Sequence, residues 1–177
     1  MRYGAKQLAE ILEAHAKFTK GDSSGKRADL SGANLAGVNL HGANLAYALL
    51  RGANLQKADL GAARLGGADF SAAKMKRADL RGADLTETNL AGADLTEAQL
   101  GGVECFRADL SDAILRGANL RAANFRYTNI RGADLRGADM TTAVLRETDL
   151  DGVNLAGLDL STTLMPRGWK APVEAKK

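Results

Sequence analysis

From Leu30 to Leu160 an apolar residue returns at every fifth position without a break. Of these 27 positions 21 are Leu; the others are Phe70, Met75, Cys105, Phe125, Ile130 and Met140. Two residues before each stands Ala in 20 of the 27 cases, and one residue before stands Asp or Asn, again in 20. A helix keeps one side with a period of about 3.6 and a strand with a period of about 2, so neither holds this pattern on one face. A period of five does so only when the chain turns a corner in every repeat, and four corners close a coil. The pattern predicts a solenoid whose Leu, and the small residue two before it, point inward.

Ahead of the repeats, Tyr3 to Lys20 carries a different period. Leu8, Ile11, Leu12, His15 and Phe18 recur at helical spacing, with Lys6, Glu10, Glu13 and Lys17 on the other side. Gly21 is a helix stop signal, and Asp22 to Gly25 reads as a loop into the first coil. An uncovered solenoid end exposes Leu and unpaired backbone, so this helix is expected to cap it. After the repeats, Pro166 stops the last coil, which Leu158, Leu160, Leu164 and Met165 thicken. The expected division is 1–25 for cap and loop, 26–165 for the solenoid and 166–177 for a tail. With Trp169 and Val173, that tail serves as a second cap or as a homodimer contact.

Runs such as Ala28-Asp29-Leu30-Ser31-Gly32, Ala33-Asn34-Leu35-Ala36-Gly37 and Ala133-Asp134-Leu135-Arg136-Gly137 resemble the pentapeptide-repeat family. The resemblance implies an all-β solenoid, a right-handed quadrilateral β-helix of about seven coils, here with an N-terminal capping α-helix. Residues twenty apart then stack, and four inward columns begin at Leu30, Leu35, Leu40 and Leu45. The inward Thr88, Thr128 and Thr148 all precede the first column, and their hydroxyls are expected to bond backbone groups. Gly32, Gly52, Gly92, Gly132 and Gly152 follow that column, whereas Gly67 alone follows the fourth. Corners after the first face are therefore expected to be tighter and more uniform.

Charge changes the picture through its distribution. The net charge of +3 conceals a body, 28–165, with 14 basic and 17 acidic residues between two basic ends. Direct nucleic-acid binding is not expected of such a body. One cysteine excludes an internal disulfide, zinc-ligand spacing is absent, and no stretch approaches a membrane span. The expectation is a cytoplasmic protein without metal or cofactor. His15 and His41 are isolated, and Ser31, Ser71 and Ser111 are corner residues without a base, so no catalytic set is expected. Cys105, inside the Leu columns, reads as an inert buried thiol.

Two surfaces stand out. The fourth corner gathers the outward aromatics Tyr47, Phe106 and Tyr127 with Arg107, Arg126 and Arg146, and Val144 lies on the adjoining face. Phe106 and Arg126, twenty apart, are placed to stack, and Glu87 lies over Arg107. Such a ridge has the composition of a protein-binding hot spot. The third face instead reads Asn39, Asp59, Asp79, Gln99, Asn119, Asp139 and Asp159. That column is similar to family members that imitate duplex DNA on a topoisomerase, although Arg81 and Arg121 interrupt it. Arg116, Arg121, Arg126, Arg131 and Arg136 form a collar expected to pair with Asp109, Asp112, Asp134 and Asp139. The reading is a non-enzymatic scaffold or interaction module with an unidentified protein partner. The alternative is a DNA-mimicking inhibitor or protector of a type II topoisomerase, DNA gyrase.

Overall fold

Backbone hydrogen bonds set the period of the solenoid. In the computed structural model, which describes residues 4–170, parallel bridges join residues twenty apart, from Asp29 with Leu49 to Val144 with Leu164. Leu95 N–H donates to the Ile114 carbonyl at 2.7 Å, and Ile114 N–H donates back to Ala93 at 2.9 Å. The same pair of bonds recurs on all four faces. Each face is one bridge rather than an extended strand, because two of every five residues are spent on the corner. The result is a β-helix whose faces are shorter than ordinary strands.

The corners differ from the expectation, and the reason is the ladder. At every repeat the N–H three residues beyond the inward apolar residue donates to its carbonyl, as Ala33 does to Leu30 at 3.0 Å. The second corner residue has positive φ at every repeat from Gly32 to Gly157, and 13 of these residues are not glycine. Tyr47, Lys57, Glu87 and Tyr127 take the same left-handed conformation as their glycine counterparts, with φ of 57–64°. First and fourth corners are therefore built alike. From Gly32 to Ala122 the corner amides also bond the coil above, as Gly32 does to Arg51 at 2.8 Å and Tyr47 to Gly66 at 2.9 Å. A corner that relaxed would break the stack on both sides, so a non-glycine residue accepts a conformation costing roughly 1–2 kcal/mol.

The Asp and Asn that precede 20 of the 27 inward apolar residues have one job in common. All 20 accept, through Oδ1, the N–H of the residue two positions on, from Asp29 with Ser31 to Asp159 with Ser161. This is the Asx-turn bond, and it satisfies a corner donor that points away from the ladder. The spare amide protons of the Asn residues then climb the stack: Asn54 donates to Asn34 at 3.1 Å, Asn124 to Glu104 at 2.8 Å and Asn129 to Asp109 at 3.0 Å.

Inside, the four columns are 0–3% exposed from Leu30 to Leu145. Thr88 and Thr128 donate to the carbonyls of Leu65 and Cys105 at 3.0 and 2.5 Å, and Thr148 donates to Phe125. Thr163, not anticipated, does the same to Met140 at 2.9 Å. Each bond crosses to the neighbouring coil, so the hydroxyls tie coils together instead of standing unpaired. Cys105 is fully buried, and burial pushes its thiol far up from the ordinary range. At the far end Leu150, Leu155, Leu160 and Met165 are half-buried, and Leu164 is 46% exposed. Trp169 is half-buried; Val173 lies outside the described residues.

Helix α1, Ala5–Thr19, is shorter at each end than the Tyr3 to Lys20 expected; Tyr3 lies outside the described residues. Gly21 (φ 76°) closes it, with Gly21 N–H bonding the Phe18 carbonyl at 3.0 Å and Asp22 N–H the Lys17 carbonyl at 3.1 Å. That pair of bonds is a Schellman motif, the usual use of a C-terminal glycine. Leu8 is buried, and Ile11 and Leu12 pack on the core, while Phe18 sits at the edge, 36% exposed. A side chain at Gly25 would meet the Phe18 backbone at 2.1 Å, so only glycine allows the chain to pass this close beneath the helix. Lys26 N–H then bonds the Ala14 carbonyl at 3.0 Å.

Two predictions test this architecture. Leu95→Arg places an unpaired charge in a fully buried column and is expected to cost several kcal/mol, on the order of 4. Leu155→Arg, in the same column but half-buried, should cost clearly less. Equal melting temperatures for the two variants would refute the inward assignment. Gly52 has φ of 60° and open space around its Cα, so Gly52→Ala isolates the left-handed corner. It should lower stability by about 1 kcal/mol, read as a lower denaturation midpoint.

Candidate protein-binding ridge

The fourth corner is made by the residues that follow Leu45, Leu65, Leu85, Cys105, Phe125 and Leu145. Its second corner residues are Tyr47, Gly67, Glu87, Arg107, Tyr127 and Glu147, five of the six being non-glycine with positive φ. The left-handed turn therefore carries large side chains here, where on the first face it carries mostly glycine.

Four of the seven residues singled out from the sequence come together. Phe106 and Tyr127 meet edge to face, with ring centroids 5.5 Å apart and planes at 86°. The Arg107 guanidinium lies 5.1 Å from the Phe106 ring, and that of Arg126 lies 5.9 Å from the Tyr127 ring. The stacking of Arg126 on Phe106 does not form; each arginine takes the ring beside it in sequence. Consecutive corner residues diverge, so Phe106 reaches Tyr127, 21 residues on, and not the residue directly above. Tyr127 is 51% exposed and Phe106 half-buried, so the pair offers a held ring and a free one. Glu87 stands 3.9 Å from Arg107 one coil below, as its twenty-residue spacing implies.

The other three are apart from this cluster. Tyr47, 57% exposed, lies over Gly67, whose missing side chain leaves room: a Cβ there would come within 2.6 Å of the ring. Arg27 donates to the Tyr47 carbonyl and ties this end of the ridge to the segment after α1. Val144 is half-buried on the fourth face, bridged to Asn124 below and to exposed Leu164 above. Arg146 is exposed and has no ion pair among the described residues.

The backbone of this ridge was overlooked in the sequence. Seven repeats lack the Asp or Asn, and in each the corner N–H it would have bonded has no acceptor among the described residues: Arg51, Gly66, Lys76, Gly101, Phe106, Arg116 and Arg146. Three of these, Gly66, Phe106 and Arg146, lie on the fourth corner. The signal was present as Arg64, Glu104 and Val144, departures from the repeat two residues earlier.

The third face is more fully paired. Arg81 chelates Asp79, Arg121 bonds Asp139 at 3.1 Å, and His41 Nδ1 sits 3.3 Å from Asp59. Arg81 holds the Asp79 carboxyl below its ordinary range, and Thr141 does the same for Asp139. Of the arginine collar, Arg116 and Arg136 both grip Asp134. Arg126 and Arg131 have no carboxylate partner among the described residues, and Asp109 accepts from Asn129 instead. The collar thus pairs in part, not throughout. Among the described residues no cluster of His, Cys, Asp and Glu could hold a metal, and no helix is long and apolar enough to cross a membrane.

Comparison with known proteins follows the repeat. HetL, a pentapeptide repeat protein involved in heterocyst differentiation regulation from the cyanobacterium Nostoc sp. strain PCC 7120, is 24% identical, covering 94% of this chain and 99% of that one, with a TM-score of 0.42. Rfr23, a pentapeptide repeat protein from the cyanobacterium Cyanothece 51142, is 24% identical over 89% and 99%, with a TM-score of 0.48. A trypsin-treated form of QnrB1, a plasmid-mediated fluoroquinolone resistance protein, is 24% identical over 77% of each chain, with a TM-score of 0.43. No curated protein matches. The model of pentapeptide repeats matches residues 26–61, 63–102 and 104–141 in 8 copies, and the chain belongs to the pentapeptide-repeat family.

Proposed function

We propose that this protein is a non-enzymatic scaffold that binds another protein through its fourth corner. In this reading it is a right-handed, four-sided rod of about seven coils, closed at its N-terminal end by α1. The observation that carries the reading is the Phe106–Tyr127 pair with Arg107 and Arg126 over its rings. Among the described residues the filled core leaves no interior site, so recognition falls to the surface. There, aromatic rings and arginines supply large contact area with few rotatable bonds, the composition of energetic anchors. The pre-formed edge-to-face contact lowers the ordering cost of Tyr127 on binding.

The alternative, mimicry of duplex DNA towards a type II topoisomerase, needs a continuous run of free carboxylates. The third face has Asp59, Asp79, Asp139 and Asp159, but Gln99 and Asn119 divide them, and His41, Arg81 and Arg121 engage three of the four. The ridge is the better-supported surface.

Phe106→Ala with Tyr127→Ala should abolish capture of the cellular partner by immobilised protein while shifting the melting temperature little, because neither ring belongs to the core columns. Asp59, Asp79, Asp139 and Asp159 changed together to Asn should leave capture intact. Loss of capture in the carboxylate variant alone, with steep weakening by salt in the parent, would favour mimicry instead. The closing role of α1 has its own test. Removal of residues 1–25 uncovers Leu30, Leu35, Leu40 and Leu45 and should cause concentration-dependent association in sedimentation. A truncated protein that stays monomeric at high concentration contradicts it.

A further inference from the structure

One imidazole of α1 is hydrogen-bonded to the first coil. In later repeats the N–H of the small inward residue donates to the carbonyl of the preceding inward apolar residue, as Ala33 does to Leu30. Ala28 opens the first repeat and has no such Leu before it. His15 supplies the missing acceptor: the Ala28 N–H donates to His15 Nδ1 at 3.1 Å. An amide N–H can only donate, so this bond requires Nδ1 to be bare and places the ring proton on Nε2. The ring is 0% exposed, and Nε2 is buried without a hydrogen-bond partner among the described residues. Phe18 stacks on one face, centroids 5.6 Å apart and planes at 19°.

We propose that His15 is a pH-sensitive latch, its protonation releasing α1 from the first coil. A proton on Nδ1 sets two donors, imidazolium and Ala28 N–H, against each other at hydrogen-bond distance. It also adds a charge to a fully buried ring that has no carboxylate partner among the described residues. Of the groups around the ring only the Ala46 backbone favours that charge, and burial outweighs it. From α1 the ring meets Phe18; from the linking segment it feels Arg27, whose positive charge acts against protonation. From the first coil it meets the Ala28 donor, and the Ala46 backbone, which favours the proton but forms no bond to Nε2. Burial is the largest influence, and the folded ring titrates below its ordinary 6.5. The neutral ring is thus preferred in the docked state. Docking is at full strength above the ordinary value and is lost as pH falls from there through the folded one. His41, exposed beside Asp59, is the other histidine and needs separate control.

The latch rests on the reading of α1 as a closing element, but its test is read at the helix itself. Protease cleavage within α1 is measured from about pH 7.5 to pH 5 in the parent, His41→Asn and His15→Gln. Gln retains an acceptor for Ala28 and does not titrate. Cleavage in the parent and in His41→Asn should speed about tenfold for each unit of pH between the undocked and docked titration points, and His15→Gln should lose that dependence. The same pH profile in His15→Gln, or none in the parent, overturns the proposal. Should His15→Gln fail to fold, imidazole resonances of the parent decide. Bare Nδ1 at neutral pH and titration below 6.5 support the latch, and titration at or above 6.5 defeats it. If the protein lacking residues 1–25 proved monomeric, the closing role would fall while a pH-dependent cleavage of α1 would still stand.

Discussion

Everything in this molecule depends on returning the backbone to itself every twenty residues. A four-sided coil has only three residues on each face, too few for an ordinary strand, so stability cannot come from long ladders. It comes instead from repetition: the same short set of bonds on all four faces, stacked coil upon coil. Side chains follow from that constraint. Leu fills the axis, Ala keeps the wall thin, and Asp or Asn catches the one corner donor that the ladder does not use. Where the residue required by the corner is absent, the ladder prevails, and Tyr, Lys, Glu or Arg is held at positive φ.

That hierarchy explains what could be read in the sequence. The inward columns were legible because burial leaves so little freedom: Leu30 to Leu145 could be assigned from spacing alone. The inward threonines were legible for the same reason, since a buried hydroxyl must find an acceptor. The corners were misjudged because glycine preference is a local rule, whereas the corner at Tyr47 is imposed by the coil above, through its N–H bond to the Gly66 carbonyl. The arginine collar was half legible. Asp134 holds Arg116 and Arg136, but exposed Arg126 is drawn to a neighbouring ring, and exposed pairs are too weak for spacing to dictate the choice.

The ridge shows both sides of this. Its residues were visible in the sequence as departures from the repeat, but their pairing was not, because Phe106 finds Tyr127 through corner geometry and not through the twenty-residue register. Arg64, Glu104 and Val144 take the places of Asp or Asn on this face, and the amides of Gly66, Phe106 and Arg146 on the same corner have no acceptor among the described residues. A repeat whose polar positions are otherwise spent on its own backbone thus has spare donors where it also has exposed aromatics. His15 belongs to the same logic at the rod's start, where a side chain supplies the acceptor that a preceding repeat would have provided.

Residue-resolved amide hydrogen exchange tests this account most directly. If the Asp and Asn side chains satisfy the corner and their absence leaves donors free, the amides of Arg51, Gly66, Lys76, Gly101, Phe106, Arg116 and Arg146 exchange fast. The twenty Asx-bonded corner amides then exchange more slowly in the same folded protein. Equal exchange in the two groups would contradict it.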